Sequence, residues 1–371
     1  MDTISGIPRK AAYCLLSLVI LSCGAFLVES AREPQRIWAN LLVASYGLLG
    51  FGLGGAVLLA LLFVTGARWS DLIRPVAEKM TRLLPAGAVG VALVLIARPS
   101  LYPWTTAANE GSSHFQAFWL SRPFFLLRAF VYLSLWIGLA YLLVRASRRH
   151  DTKSSASSSV CVAAIFLVVF ALTCWLASVD WIMSLEPKWT STVFGIYHFA
   201  GMFLSGLAAF IVLAIWFDRR GLLGGRLTPN HLHDLGTLLF SFSSFWMYIW
   251  FSQYLLIWYV NNPEETEYYV LRQQDVWQPL LFANLVLNWG IPFLVLLFRP
   301  AKENPGILML VAVIVLVGRL VDLYLMVLPP VIGTGTSFGI WDGCLIPGTV
   351  ALAALILARR SPLEPSPLRS Q

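Results

Sequence analysis

The chain has 371 residues, 58% of them hydrophobic and 12% charged, with a mean hydropathy of +0.73. A soluble domain carries about a quarter charged residues, so this composition excludes one and indicates a polytopic membrane protein. The net charge of +7 reads as topogenic Lys and Arg beside membrane spans, not as a nucleic-acid surface.

A transmembrane helix needs about 20 mainly apolar residues. In chain order the apolar runs predict ten spans, near 11–29, 38–64, 84–98, 122–145, 160–182, 192–217, 235–260, 277–298, 306–328 and 342–358. The expected fold is an all-α polytopic membrane protein, a single integral domain over 1–371. In the first span, LVILSCG resembles a lipoprotein cleavage site at Cys23, but the apolar run continues through Val28, so an uncleaved span is expected. Gly50 and Gly54 in the second span form a GxxxG surface for close helix packing. The amphipathic stretch SDLIRPVAEKMTRLL before the short third span is expected to lie along the membrane interface. RASRRHDTKSSASSS, after the fourth, reads as a flexible connector, and the tail 361–371 as disordered.

Lys and Arg sort by side. The N-terminus, the loops after spans two, four, six and eight, and the tail hold 18; the opposite loops and span edges hold 7. This places both termini in the cytoplasm. The hairpin SVDWIMSLEPKWTST is then on the outer face.

That hairpin focuses attention on ionisable groups in hydrocarbon, which need a partner, a water path or a function. Asp180 is near the outer end of span five, and His198 is roughly 9 Å into span six from the same face. Gln253 and Tyr254 of span seven, Asp322 and Arg319 of span nine, Arg128 of span four and Asn284 of span eight fall in the same leaflet. Arg319 and Asp322 are spaced to pair on one helix face. Trp189, Trp258, Tyr259 and Trp277 read as an interfacial aromatic belt. On the cytoplasmic side, Asp218, His231, His233 and Asp234 are candidates for the mouth of an inner proton path, or a solvated loop edge. Of five histidines only His198 is inside a span; a bis-histidine haem needs two. The five cysteines, Cys14, Cys23, Cys161, Cys174 and Cys344, form no CxxC and read as buried small hydrophobes. Any redox chemistry must use a diffusible carrier or cofactors on other subunits.

DWIMSLEPKWTST with FGIYHFAG, then SQYLLIWYVNNPEET, then VDLYLMVLPP, resembles the second quinone-binding membrane subunit of alternative complex III, a bacterial quinol:cytochrome c oxidoreductase, within the NrfD/polysulfide-reductase membrane-subunit superfamily. The resemblance covers spans five to nine, residues 178–330; the N-terminal half matches in hydropathy only. It implies ten helices: two four-helix bundles, here 38–182 and 192–328, with flanking helices 11–29 and 342–358. It implies no covalently bound cofactor, a possible menaquinone or ubiquinone site, and proton conduction in the bacterial inner membrane. Implied partners are a homologous membrane subunit, an iron–sulfur subunit and multihaem cytochrome c subunits that hold the haem and Fe–S centres. Asp180, Trp181 and Glu186 match its first motif; Gln253, Tyr254, Trp258 and Glu264 its second; Asp322 its third. His198 stands where the family is expected to have a non-ionisable residue.

A respiratory quinone- or proton-handling subunit is therefore expected. The other readings are a secondary transporter, for which Gly290-Ile291-Pro292 would be a broken-helix site, and a structural scaffold for outer redox subunits.

Overall fold

Apolar runs too long for a soluble core decide the architecture, because in hydrocarbon each backbone polar group must be satisfied within its own segment. The structure, a computed structural model, describes residues 3–4, 7–66, 70–105, 114–148, 153–334 and 342–359. The expected disordered tail and residues 149–152 of the connector lie outside them. The described chain is helical apart from short connections and a two-residue antiparallel pairing of Thr3–Ile4 with Ile7–Pro8.

The long helices are α1 (Arg9–Arg32), α2 (Pro34–Thr65), α3 (Ser70–Met80) continued by α4 (Leu84–Ala97), α6 (Arg122–Arg148), α7 (Lys153–Trp181), α8 (Phe194–Arg219), α9 (Pro229–Val260) and α14 (Pro305–Ile332). Span eight is composite: α11 (Trp277–Leu285), a π segment (Val286–Gly290) and α12 (Ile291–Leu296). Short helices α5 (His114–Trp119), α10 (Pro263–Arg272) and α13 (Arg299–Glu303) cover the ends, and α15 (Leu345–Ala358) is last. Nine of the described helical spans are long and apolar enough to cross a membrane, and α15 is a shorter apolar helix of 14 residues. The protein is an all-α, multi-pass integral membrane protein.

Two expectations need correction. The amphipathic stretch at 70–84 does not lie along the interface. Its apolar stripe, Ile73, Val76, Ala77 and Met80, is buried as α3 packs lengthwise on α2, with Arg74 5.4 Å from the Phe63 ring centroid. A short 3₁₀ turn (Thr81–Leu83) joins it to α4. The Ser-rich connector is mostly helix, because α6 runs to Arg148 and α7 starts at Lys153.

α2 is the centre of the packing. It touches α4, α6 and α7 on one side and α8 and α14 on the other. α8 packs in turn on α9 and α14, and α11 on α14. The GxxxG surface meets α8: a Cβ at Gly54 would lie 2.5 Å from the Cα of Gly206, and one at Gly50 would lie 3.3 Å from Met202. Such contact maximises dispersion between helices that gain no hydrophobic energy from leaving lipid. The terminal helices α1 and α15 pack together, and Ser22 donates to the Cys344 carbonyl at 2.8 Å. Of the cysteines only Cys174 is buried; Cys14, Cys23 and Cys161 face outward, since lipid accepts an apolar thiol as readily as the interior does.

Candidate functional site

Four helices converge on the Arg319–Asp322 pair, and Asp322 is 1% exposed. Arg319, one turn earlier on α14, places Nη1 2.8 Å from its Oδ2. Tyr197 of α8 donates its hydroxyl to Oδ1, and Asn284 of α11 donates to the same oxygen at 2.8 Å. Asn288 donates to the side chain and carbonyl of Asn284 at 2.6 and 2.9 Å. The Arg319 guanidinium lies 5.5 Å from the Trp246 ring centroid on α9. It also lies over Gly201 of α8, where a Cβ would meet Nη2 at 2.0 Å. Only glycine leaves that space.

The Gly290-Ile291-Pro292 interruption is a π segment in a continuous helix, not a break. Pro292 has no N–H for the Asn288 carbonyl four residues back. Ser243 of α9 supplies a hydroxyl to that carbonyl instead, at 2.5 Å. The wider π turn lets Asn284 and Asn288 both reach inward, the use to which such segments are often put.

His198 follows Tyr197 on α8 and points toward α2. Its Nε2 is 2.6 Å from the Tyr46 hydroxyl. His198 is 2% exposed, and its Nδ1 is buried without a partner. Its turn of α8 also carries Gly201 and so adjoins Arg319. Further unpartnered buried atoms lie around this site: Nε of Arg319, Oδ1 of Asn288, Nε1 of Trp246 and Oε1 of Gln253. The Arg319–Asp322 contact itself has ion-pair distance but not hydrogen-bond alignment. Buried polar groups are nearly always paired, so this concentration of orphans marks a place for water or a ligand.

Asp180 belongs to a different cluster. Arg128 of α6 grips it with both prongs, at 2.9 and 2.8 Å. Trp119 Nε1 and the Tyr132 hydroxyl add bonds of 2.9 and 3.2 Å. Arg128 also donates to the Trp119 carbonyl at 2.8 Å and is 4.0 Å from its ring centroid. This carboxylate is saturated: its four acceptor positions hold four donors. Trp181 joins the two clusters physically. Its buried ring contacts Tyr132 and Trp136 on one side and Tyr46 on the other, at centroid distances of 6.1, 5.6 and 6.0 Å.

Gln253 is buried on α9 above Trp246 and interacts with Tyr269. Tyr254 is half-buried, stacked on Trp250 at 5.6 Å and edge-on to Tyr269 at 5.1 Å. On the rim, Glu186 pairs with Arg272 at 2.6 Å. Arg272 also donates to the carbonyls of Tyr268, Leu325 and Met326, at 2.7, 2.7 and 3.4 Å. Leu325 and Met326 lie four residues before Pro329 and Pro330, which have no N–H to offer them, so the guanidinium replaces two missing backbone donors. Burial raises the Tyr268 phenol above its ordinary range, against the pull of the Arg272 charge. A gap too small for a water molecule is lined by Ile182, Glu186, Trp189, Phe194, Tyr268 and Met326. Phe194 lies 6.0 Å from His198, centroid to centroid.

Other candidates lie apart. Glu264 is exposed in the first turn of α10, and Trp258 is 64% exposed. Tyr259 is exposed as a belt residue would be, but Trp189 and Trp277 are buried. Trp189 stacks on Tyr268 at 4.0 Å, and Trp277 donates to the Gly333 carbonyl at 3.1 Å. On the opposite side His231 closes a capping box with Thr228 at the start of α9. His233 is 3.8 Å from Asp234 on the surface, and Asp218 keeps a buried, unpartnered Oδ1 at the end of α8.

Sequence reasoning missed Tyr46, Ser243, Asn288 and Tyr132. A single hydroxyl or amide in an apolar run carries no local sign of its partner. No protein-family model matches the chain, and a search of curated proteins gave no significant match.

Proposed function

We propose that this protein is an inner-membrane subunit of a bacterial respiratory quinol:cytochrome c oxidoreductase of the alternative complex III type, with both termini cytoplasmic, and that the His198–Arg319–Asp322 site exchanges protons with a quinol near the outer face. The observation that carries this reading is the unpartnered Nδ1 of His198, buried beside an ion pair whose polar atoms are also incompletely satisfied. The likeness of the three quoted motifs supports the family assignment.

The side-chain chemistry suits a menaquinone or ubiquinone head group: Trp246, Tyr197 and Phe194 are aromatic, and His198, Gln253 and Trp246 carry unpaired polar atoms. A bound quinol supplies two electrons and two protons, the electrons passing to centres on partner subunits. With Nε2–H donating to Tyr46, His198 keeps a lone pair on Nδ1 and accepts a proton there. Tyr46 fixes the orientation of the ring. Asp322, held by Tyr197, Asn284 and Arg319, balances the arriving charge.

Substituting His198→Phe and Asp322→Asn in the complex isolated from its own membrane tests the reading. The expected result is co-elution with haem c absorbance and a large loss of quinol:cytochrome c turnover in both variants. Absence of haem c and iron–sulfur partners, or wild-type turnover in both variants, contradicts it. The continuous span eight gives no support to a transporter's broken helix. The saturated Asp180 and Arg272 clusters favour a scaffolding role for the outer rim alongside the proton site.

A further inference from the structure

On the side of the molecule away from this site, α3 passes into its 3₁₀ turn among crowded cations. Lys79 is only 7% exposed, and its ammonium lies 4.8 Å from the centroid of the Phe217 ring on α8. Arg82, one turn on, donates to the carbonyl of Arg359 at the end of α15, at 3.1 Å. Its charge acts on Lys79, and that of Arg148 at the end of α6 acts on Arg82. Arg359 adds a fourth, exposed residue of the same sign.

The acids do not balance them. Glu78 bonds Ser147 and Arg148, at 2.5 and 3.4 Å, and its single charge also acts on Arg82, so one carboxylate serves several cations. Asp218, beside Phe217, makes no ion pair with Lys79 among the described residues. The carbonyl ends of α6, α8 and α15 welcome positive charge, yet a lysine and three arginines gathered there exceed what Glu78 offsets. Buried charges are normally paired. Val64, Tyr141 and Leu142 expose apolar surface on neighbouring helix ends.

We propose that Lys79, Arg82, Arg148 and Arg359 form a binding site for a phosphate-bearing anion, supplied by the head group of an anionic phospholipid or by free phosphate. Basic clusters between helix ends at the head-group level take anionic lipid in this way, and the exposed apolar surface beside them suits acyl chains. The site is independent of the redox reading.

The full chain, with any subunits that accompany it, is exchanged into bilayers of equal parts phosphatidylglycerol and phosphatidylcholine, and retained lipid is counted by native mass spectrometry. Phosphatidylglycerol is expected to be retained preferentially, and Arg82→Gln and Lys79→Gln each to lower that retention about fivefold. Arg148→Gln, on the exposed rim, carries the same test if the other two substitutions fail to fold. Arg299→Gln, paired with Glu303 on another loop, is expected to change nothing. Inorganic phosphate that displaces the lipid, or alone raises the thermal midpoint of wild type but not of Arg82→Gln, assigns the site to the phosphate group; lipid that resists it assigns the site to the whole phospholipid. Equal retention of both lipids with no phosphate effect, or undiminished preference in all three site variants, overturns the proposal.

Discussion

Tyr46 and His198 are joined by a hydrogen bond of 2.6 Å between α2 and α8, with their rings 5.1 Å apart, edge to face. This bond lies where the GxxxG surface brings the two helices together, so close backbone packing and histidine placement are one feature. It leaves Nδ1 as the nitrogen free for chemistry.

Tyr46→Phe removes that anchor and keeps the packing. It leaves a buried ring nitrogen unsatisfied, a cost of about 1–3 kcal/mol. The expected outcome is a lower thermal midpoint in detergent and, on the proposed function, reduced quinol turnover. An unchanged midpoint and unchanged turnover would show that the bond positions nothing.

Arg319→Leu strands the Asp322 carboxylate and is expected to cost about 3–5 kcal/mol. Arg319→Leu with Asp322→Leu removes both charges and recovers much of that stability, while, on the proposed function, turnover stays lost. A double-mutant cycle on thermal unfolding measures the coupling. Additive losses would mean that the two side chains do not act as a pair.

Arg272→Lys keeps a charge for Glu186 but loses the planar fork that serves three carbonyls at once. Loss of about 2–4 kcal/mol is expected, approaching that of Arg272→Gln, because buried carbonyls are left without donors. Faster amide exchange or proteolysis at the C-terminal end of α14 would locate the damage. A fully stable Arg272→Lys would show that the carbonyls next to Pro329 and Pro330 find other partners.

Burial holds the Tyr268 phenol above its ordinary value of about 10. The unfolded chain therefore releases this proton first as pH rises. Stability from this group is complete below about pH 10 and declines above it. Tyr268→Phe, which preserves the ring beneath Arg272, is expected to flatten the alkaline arm of the stability–pH curve by up to about 1.4 kcal/mol per pH unit. Parallel alkaline arms in wild type and variant would exclude Tyr268 as a contributor.

The sequence by itself determined the solvent and the elements. Apolar run length against bilayer thickness is a one-dimensional property, and it marked every long span. Local spacing likewise paired Arg319 with Asp322. Tertiary structure decided which polar groups meet. Asp180 and Asp322 looked equivalent in depth, yet one is saturated by Arg128, Trp119 and Tyr132, while the other shares its surroundings with unpartnered atoms. The stretch at 70–84 looked interfacial until α2 proved to cover its apolar stripe. The physical reason is common to these cases. Most of these helices are apolar all round, because lipid and protein neighbours are equally greasy, so the sequence carries little record of which face turns inward. Rotation about each helix axis is settled by close contacts such as Gly54 on Gly206 and Arg319 on Gly201, and those contacts exist only in the assembled fold.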